Sequence, residues 1–242
     1  LYDELGLNFV YKAFTTDDIA GAITGVRALG IRGCSVSMPF KEAVIPLLDE
    51  IEPSAAAIDS VNTIVNDGGR LSGSNTDYEA VAQLLAEHAV DPSASVLVRG
   101  SGGMAKAVVA AFHGAGFRDL TVVARNAEAG QALAERYGFR AVTEDPAPGH
   151  AVIVNVTPLG MNGADADALA FSAAHIEAAQ RVFDVVAFPS ETPLIRAARE
   201  RGVAVITGAE VIALQAARQF ARYTGVTPTP EQVARASEFS RA

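Results

Sequence analysis

The stretch Ser95–Phe112, SVLVRGSGGMAKAVVAAF, decides the fold class. Ser95 to Arg99 reads as a short buried strand, since apolar side chains follow one another up to the closing arginine. Gly100, Gly102 and Gly103 then make a tight turn, and Met104 to Phe112 continues as an apolar, alanine-rich helix. The spacing Gly100-x-Gly102-x-x-Ala105 fits the dinucleotide fingerprint in its Gly/Ala form. The first glycine allows the turn, the second lets backbone approach a pyrophosphate, and the small sixth residue permits close helix–strand packing. The helix N-terminus offers free N–H groups and a positive dipole end to phosphates. Ser101, inside the turn, reads as a further pyrophosphate contact. A plain strand–helix turn is the competing reading of so short a pattern; the flanking strand and helix favour a dinucleotide.

Downstream the same rhythm continues. Strands at 95–99, 120–124, 151–155, 181–186 and 203–206 are separated by helical stretches. This alternation predicts right-handed βαβ units and a parallel sheet with helices on both faces. Ligands of such sheets bind outside the carboxyl ends of the strands. The strand Leu120–Ala124 ends at Arg125, roughly twenty residues past the glycine turn, where an acidic residue binds the ribose of NAD and an arginine accommodates the 2′-phosphate of NADP. Guanidinium is also a bidentate, permanently charged match to phosphate. Arg125 therefore favours NADP over NAD. A solvated loop arginine is the equal alternative, and Glu128 opposes a phosphate if it faces the same way.

Upstream, residues 1–77 alternate as well. A strand is predicted over Asn8–Phe14, a helix over Asp17–Leu29 with Thr16 as N-cap, a strand over Gly33–Ser37, and a helix from Pro39 to about Leu48. Ser60–Asn66 and Arg70–Ser74 flank Asp67-Gly68-Gly69 as a hairpin. Tyr78–His88 reads as a linking helix, and Gly208–Tyr223 as a last long helix packing back on the first domain. The expected organisation is α/β throughout. An N-terminal α/β substrate-binding and catalytic domain (1–77) precedes a Rossmann-type, doubly wound parallel-sheet dinucleotide-binding domain (78–207) and C-terminal helices (208–242). The active site is expected in the interdomain cleft. The chain starts at Leu1, inside LYDELGL and without an initiator methionine, so the first domain is expected to lack its N-terminal strand.

A net charge of −9 argues against a nucleic-acid partner. No apolar run approaches the roughly 20 residues of a membrane span. The single cysteine, Cys34, cannot form an internal disulfide, and the absence of a signal peptide fits the cytoplasm. Cys34 reads as a small core residue rather than a nucleophile. His88, His113, His150 and His175 lie scattered without metal-ligand spacing, so no metal is expected.

The first domain carries the candidate chemistry. Lys41 is predicted in the first turn of a helix, beyond a strand carboxyl end, where dipole and burial would both lower its pKa and suit it to act as a base. Asn62 and Thr63 begin a strand, and Asn75-Thr76-Asp77 ends the next. Polar side chains at strand ends suit a small polyol. Taken singly each also reads as structural, and Asp77 in particular as the N-cap of the 78–88 helix.

Taken together these segments resemble the shikimate dehydrogenase family, over essentially the whole chain. The family's G-x-N-V-T-x-P-x-K stands as Gly33-Cys34-Ser35-Val36-Ser37-Met38-Pro39-Phe40-Lys41, its V-N-T as Val61-Asn62-Thr63 and its N-T-D as Asn75-Thr76-Asp77. N-R-T stands as Ala124-Arg125-Asn126, N-A-T-S-x-G as Asn155 to Gly160, and T-P-L as Thr192-Pro193-Leu194, with Gln215 as the substrate glutamine. The resemblance implies an NADP-dependent oxidoreductase acting on a ring hydroxyl of shikimate or a related cyclic hydroxy acid, as a monomer or homodimer. It implies Lys41 and Asp77 as the catalytic pair. Ser37, Asn62, Asp77 and Gln215 would contact substrate. Gly100, Ser101, Gly102, Gly103, Met104, Arg125, Asn126, Thr157, Val185 and Gly208 would contact the cofactor.

The departures resemble a divergent subgroup, shikimate dehydrogenase-like, with a different or broader substrate. Ser35 and Ser37 replace asparagine and threonine, Tyr78 and Glu210 stand where glycine is usual, and Ala187 stands where a tyrosine is usual. The second basic residue of the NADP clamp is Ala129, and the S-x-S motif that holds the substrate carboxylate belongs before Leu1. A dinucleotide-binding sensor or scaffold with little catalysis is the alternative. The Lys41/Asp77 couple, which a sensor does not need, discriminates between the two.

Overall fold

The computed structural model describes residues 1–37 and 39–239; Met38 of the Gly33–Lys41 motif and residues 240–242 lie outside the described residues. The chain divides into two units, Leu1–Thr76 with Ala213–Ala242, and Asp77–Ile212.

In the first unit, helix α1 (Ile19–Ala28) starts after Asp18, whose Oδ1 accepts the Gly21 N–H at 2.8 Å. Thr16 is not the cap: its hydroxyl oxygen accepts the Asp18 N–H at 3.0 Å, two residues too early. Strands β1 (Gly33–Ser35), β2 (Glu50–Ile51), β3 (Thr63–Asp67) and β4 (Arg70–Ser74) form a sheet in the order β1-β3-β4-β2, and α2 (Pro53–Ala56) follows β2. The β3–β4 hairpin turns through Gly68 and Gly69 at φ +61° and +96°, a conformation that favours glycine. Ile23 and Val26 of α1 pack with Val36, Val44, Val61, Ile64 and Leu71 into this unit's core.

Two further sequence expectations fail here. Asn8–Phe14 is not a strand; a strand needs a hydrogen-bonded neighbour, and the sheet order holds none for it among the described residues. Val10 and Phe14 are exposed accordingly. Residues 39–48 form turns and a single 3₁₀ turn, Ile45–Leu47, rather than an α-helix. Pro46 bars a regular helix from running on to Leu48: it has no N–H for the residue 42 carbonyl, and its ring crowds the preceding turn.

The second unit opens within α3 (Thr76–Glu87). There follow β5 (Val96–Arg99), α4 (Gly103–Gly114), β6 (Leu120–Val123), α5 (Ala127–Arg136), β7 (Arg140–Val142), β8 (Val152–Asn155), α6 (Ala173–Ala178), β9 (Arg181–Asp184), α7 (Pro193–Glu200) and β10 (Ala204–Ile206). Helix α8 (Gly208–Thr224) leads back into the first unit, which ends with α9 (Pro230–Phe239). The six strands are parallel in the order β10-β9-β8-β5-β6-β7, the doubly wound Rossmann arrangement, and the winding reverses between β5 and β8. Leu97, Ile153 and Val182 on adjacent central strands pack with Phe171, Ile176, Leu194 and Ile195 from the covering segments. The chain is therefore α/β, with a Rossmann-type second unit.

Candidate functional site

At the carboxyl end of β5 the chain turns through Gly100 at φ +121°. A Cβ there would lie 2.9 Å from Val156 Cγ2 and 3.1 Å from Thr157 Cγ2, so glycine is required by conformation and by space. Gly102 differs. Its backbone is extended, and a Cβ on it or on Gly103 would meet nothing within 4 Å. Gly102 is the N-cap of α4 and, lacking a side chain, makes no capping bond of its own there. The first-turn N–H groups thus face an open approach, and a pyrophosphate fits them. Ala105 is fully buried, as close helix–strand packing demands. Ser101 in the turn and Met104 just after it are half-buried.

Arg125 is exposed directly after β6 and its flanking Ala124. Asn126 caps α5, its Oδ1 accepting the Ala129 N–H at 3.0 Å, and Glu128 sits in that helix's first turn.

Behind the turn a buried network fixes the ends of β8 and β9. Asn155 Oδ1 accepts Thr157 Oγ1–H at 2.6 Å and the Thr157 N–H at 3.1 Å. Its Nδ2 donates to Asp184 Oδ1 at 3.0 Å and to the Leu159 carbonyl at 3.1 Å. Asp184 also accepts the Val186 N–H at 3.1 Å and Thr192 Oγ1–H at 2.7 Å. Asp184 is fully buried, which pushes its carboxyl up to about 6 against the opposing pull of those three donors. A Cβ on Gly208 would lie 2.3 Å from the Val186 oxygen and 2.6 Å from the Val185 carbonyl carbon. The fold thus brings Gly100 to Thr157, and Val185 to Gly208. Asp184 and Thr192 were missed as supports by sequence reasoning; the available signal was a lone carboxylate closing the apolar strand Arg181–Asp184.

In the first unit, backbone bonds gather Lys41, Asn62 and the chain before Ser37. The Val61 N–H donates to the Lys41 carbonyl at 2.8 Å, the Val36 N–H to the Asn62 carbonyl at 2.8 Å, and the Asn62 N–H to the Ser74 carbonyl at 3.1 Å. Lys41 lies in a turn, so the helix-dipole argument for its basicity does not apply. Asn62 is 1% exposed; its Oδ1 accepts the Thr76 N–H at 2.9 Å, Thr76 Oγ1–H at 3.1 Å and Thr63 Oγ1–H at 2.8 Å. Its Nδ2 has no hydrogen-bond partner among the described residues. Asp77 is buried and follows Thr76 inside the first turn of α3, so it is not that helix's N-cap. Ser37 is exposed, and Gln215 is half-buried on α8.

Comparison with known proteins bears on this arrangement. Residues 1–64 match the shikimate dehydrogenase substrate binding domain, and residues 84–149 match shikimate / quinate 5-dehydrogenase. A shikimate dehydrogenase-like protein of Haemophilus influenzae is 55% identical over 100% of this chain and 89% of its own length. The chain belongs to the shikimate dehydrogenase family. Shikimate 5-dehydrogenase from Thermus thermophilus, in complex with NADP(H) and shikimate, superposes with a TM-score of 0.87 at 32% identity, covering 99% of this chain and 91% of that one. Quinate dehydrogenase from Corynebacterium glutamicum, in complex with NAD, superposes with a TM-score of 0.86 at 28% identity, covering 100% and 91%. The family is one of oxidoreductases.

Two departures from the family pattern have structural accounts. Tyr78 packs over Gly114 of α4, where a Cβ would come within 2.8 Å of its hydroxyl oxygen. Glu210 builds a capping box for α8, its Oε2 accepting the Thr207 N–H and Oγ1–H, each at 2.7 Å, while its Oε1 pairs with His88 Nε2 at 2.9 Å. Burial pushes the Cys34 thiol up to about 11, which keeps it protonated and unsuited to nucleophilic attack. Among the described residues no cluster of His, Cys, Asp and Glu suits a metal ion, and no helix is long and apolar enough to cross a membrane.

Proposed function

We propose that this chain is an NADP-dependent oxidoreductase that moves a hydride between the nicotinamide and a ring hydroxyl of shikimate or a related cyclic hydroxy acid. Lys41 accepts the hydroxyl proton and Asp77 orients that hydroxyl. Ser37, Asn62 and Gln215 bind the remaining hydroxyls. Gly100 to Met104 hold the pyrophosphate, Arg125 and Asn126 the ribose 2′-phosphate, and Thr157, Val185 and Gly208 the nicotinamide end. The bound nicotinamide supplies the hydride acceptor; the protein supplies proton handling and orientation.

The observation that carries catalysis over mere dinucleotide binding is Asn62. A buried amide N–H pair left without a partner costs about 1–3 kcal/mol, and a substrate hydroxyl would satisfy it. Arg125 supports NADP, while the NAD bound by the quinate dehydrogenase neighbour makes the nucleotide worth assaying both ways. Ala187 removes a ring from the substrate wall, and misplaced reacting groups cost about 100-fold in rate, so shikimate itself is turned over slowly. The test is a screen of shikimate, quinate and related ring acids with NADP and with NAD, following reduced nicotinamide by absorbance. NADP-linked turnover of a ring acid is expected. Tight NADP binding without turnover of any ring acid would return the chain to the sensor reading.

A further inference from the structure

A relay of hydrogen bonds with one direction runs through the first unit to Asn62. Tyr11 Oη lies 2.7 Å from Ser35 Oγ, and Ser35 Oγ–H donates to Gln219 Oε1 at 3.1 Å. Gln219 Nε2 donates to Thr63 Oγ1 at 3.1 Å, and Thr63 Oγ1–H donates to Asn62 Oδ1 at 2.8 Å. The Thr76 N–H, which can only donate, identifies the Asn62 atom 2.9 Å away as the amide oxygen. Gln219 occupies an acceptor site on Thr63, so the Thr63 proton is sent toward Asn62 rather than toward α8. With three donors on its oxygen, the Asn62 amide cannot turn, and its unpartnered Nδ2 is held in one direction.

We propose that Gln219 is a positioning residue that sets Asn62 as a hydrogen-bond donor to a ligand hydroxyl, acting through Thr63. The ligand part of this claim rests on the function proposed above; the orientation part does not. Gln219→Glu keeps an acceptor for Ser35 and places a second acceptor opposite Thr63, which draws the Thr63 proton away from Asn62. Gln219→Met, of similar size, removes both bonds without adding charge. In the intact protein, both variants should shift the side-chain ¹⁵NH₂ resonances of Asn62, assigned by their loss in Asn62→Asp. With shikimate as probe and NADP present, both should raise KM about fivefold to tenfold and leave kcat within about twofold. In a Thr63→Val background, where the relay is already cut, Gln219→Met should move neither the resonance nor KM further. A stability loss alone would leave the resonance in place. Unmoved Asn62 resonances in folded Gln219→Met, or equal effects with and without the Thr63 hydroxyl, would overturn the proposal. Shifted resonances in a protein that turns over no shikimate would support the positioning role and count against the proposed substrate alone.

Discussion

Lys41 has the largest expected effect of any single side chain. General acid–base catalysis contributes roughly 10²–10⁴-fold, so Lys41→Ala should lower kcat by about that factor while NADP affinity persists; steady-state kinetics beside a fluorescence titration with NADPH checks both halves. Arg125→Ala should weaken NADP binding roughly 10- to 100-fold, the cost of a lost charge-assisted contact, and leave NAD nearly unchanged; isothermal titration with each nucleotide measures it. Asp184 predicts a pH effect. Its carboxyl is raised from 3.8 to about 6 in the folded state, so the native protein holds more protons than the unfolded chain between those values. The stability this group contributes is fully present below 3.8 and is lost as pH rises through about 6. Wild type should therefore gain about 1 kcal/mol relative to Asp184→Asn between about pH 7.5 and about pH 5, read from urea melts at both. At this scale the sequence offered candidate residues but not their surroundings. Lys41 stood out beside a strand end, yet it lies in a turn and only a 3₁₀ turn, Ile45–Leu47, follows where its spacing suggested a helix. The Asp184 network joins Asn155, Val186 and Thr192 across separate segments, and no local pattern encodes such a convergence.

Among elements, readability followed burial. Strands β5, β6, β8 and β9 are central and covered on both faces, so they announce themselves as apolar runs. Strand β7 lies at the sheet edge with Arg140 and Val142 exposed, and three residues of mixed character gave no such signal. Asn8–Phe14 has strand-forming residues and no ladder to join, which shows pairing overriding propensity. The start of α1 was displaced because Asp18 rather than Thr16 does the capping. The Thr207–Glu210 box caps α8, which starts at Gly208 as the sequence reading had it, and it carries an expectation of its own. Glu210→Ala should cost about 1 kcal/mol, or roughly 2–4 °C in Tm for a chain of this size, by differential scanning calorimetry. A Tm unchanged within error would mean that α8 does not depend on this cap.

For the whole molecule, the doubly wound order β10-β9-β8-β5-β6-β7 marks where a ligand is expected, since ligands of such sheets bind where the strand order reverses. The glycine turn stands at that reversal, at the end of β5, with Thr157 after β8 beside it. Hydride transfer, beyond merely holding a dinucleotide, is the activity proposed for this chain. NADPH carrying deuterium on its transferable position, incubated with the ketone that corresponds to shikimate, tests this most directly. Mass spectrometry should find deuterium on the ring carbon bearing the new hydroxyl, slowly in wild type and about 10²–10⁴-fold more slowly in Lys41→Ala. NADPH that binds to wild type and passes no label to the ring would contradict it.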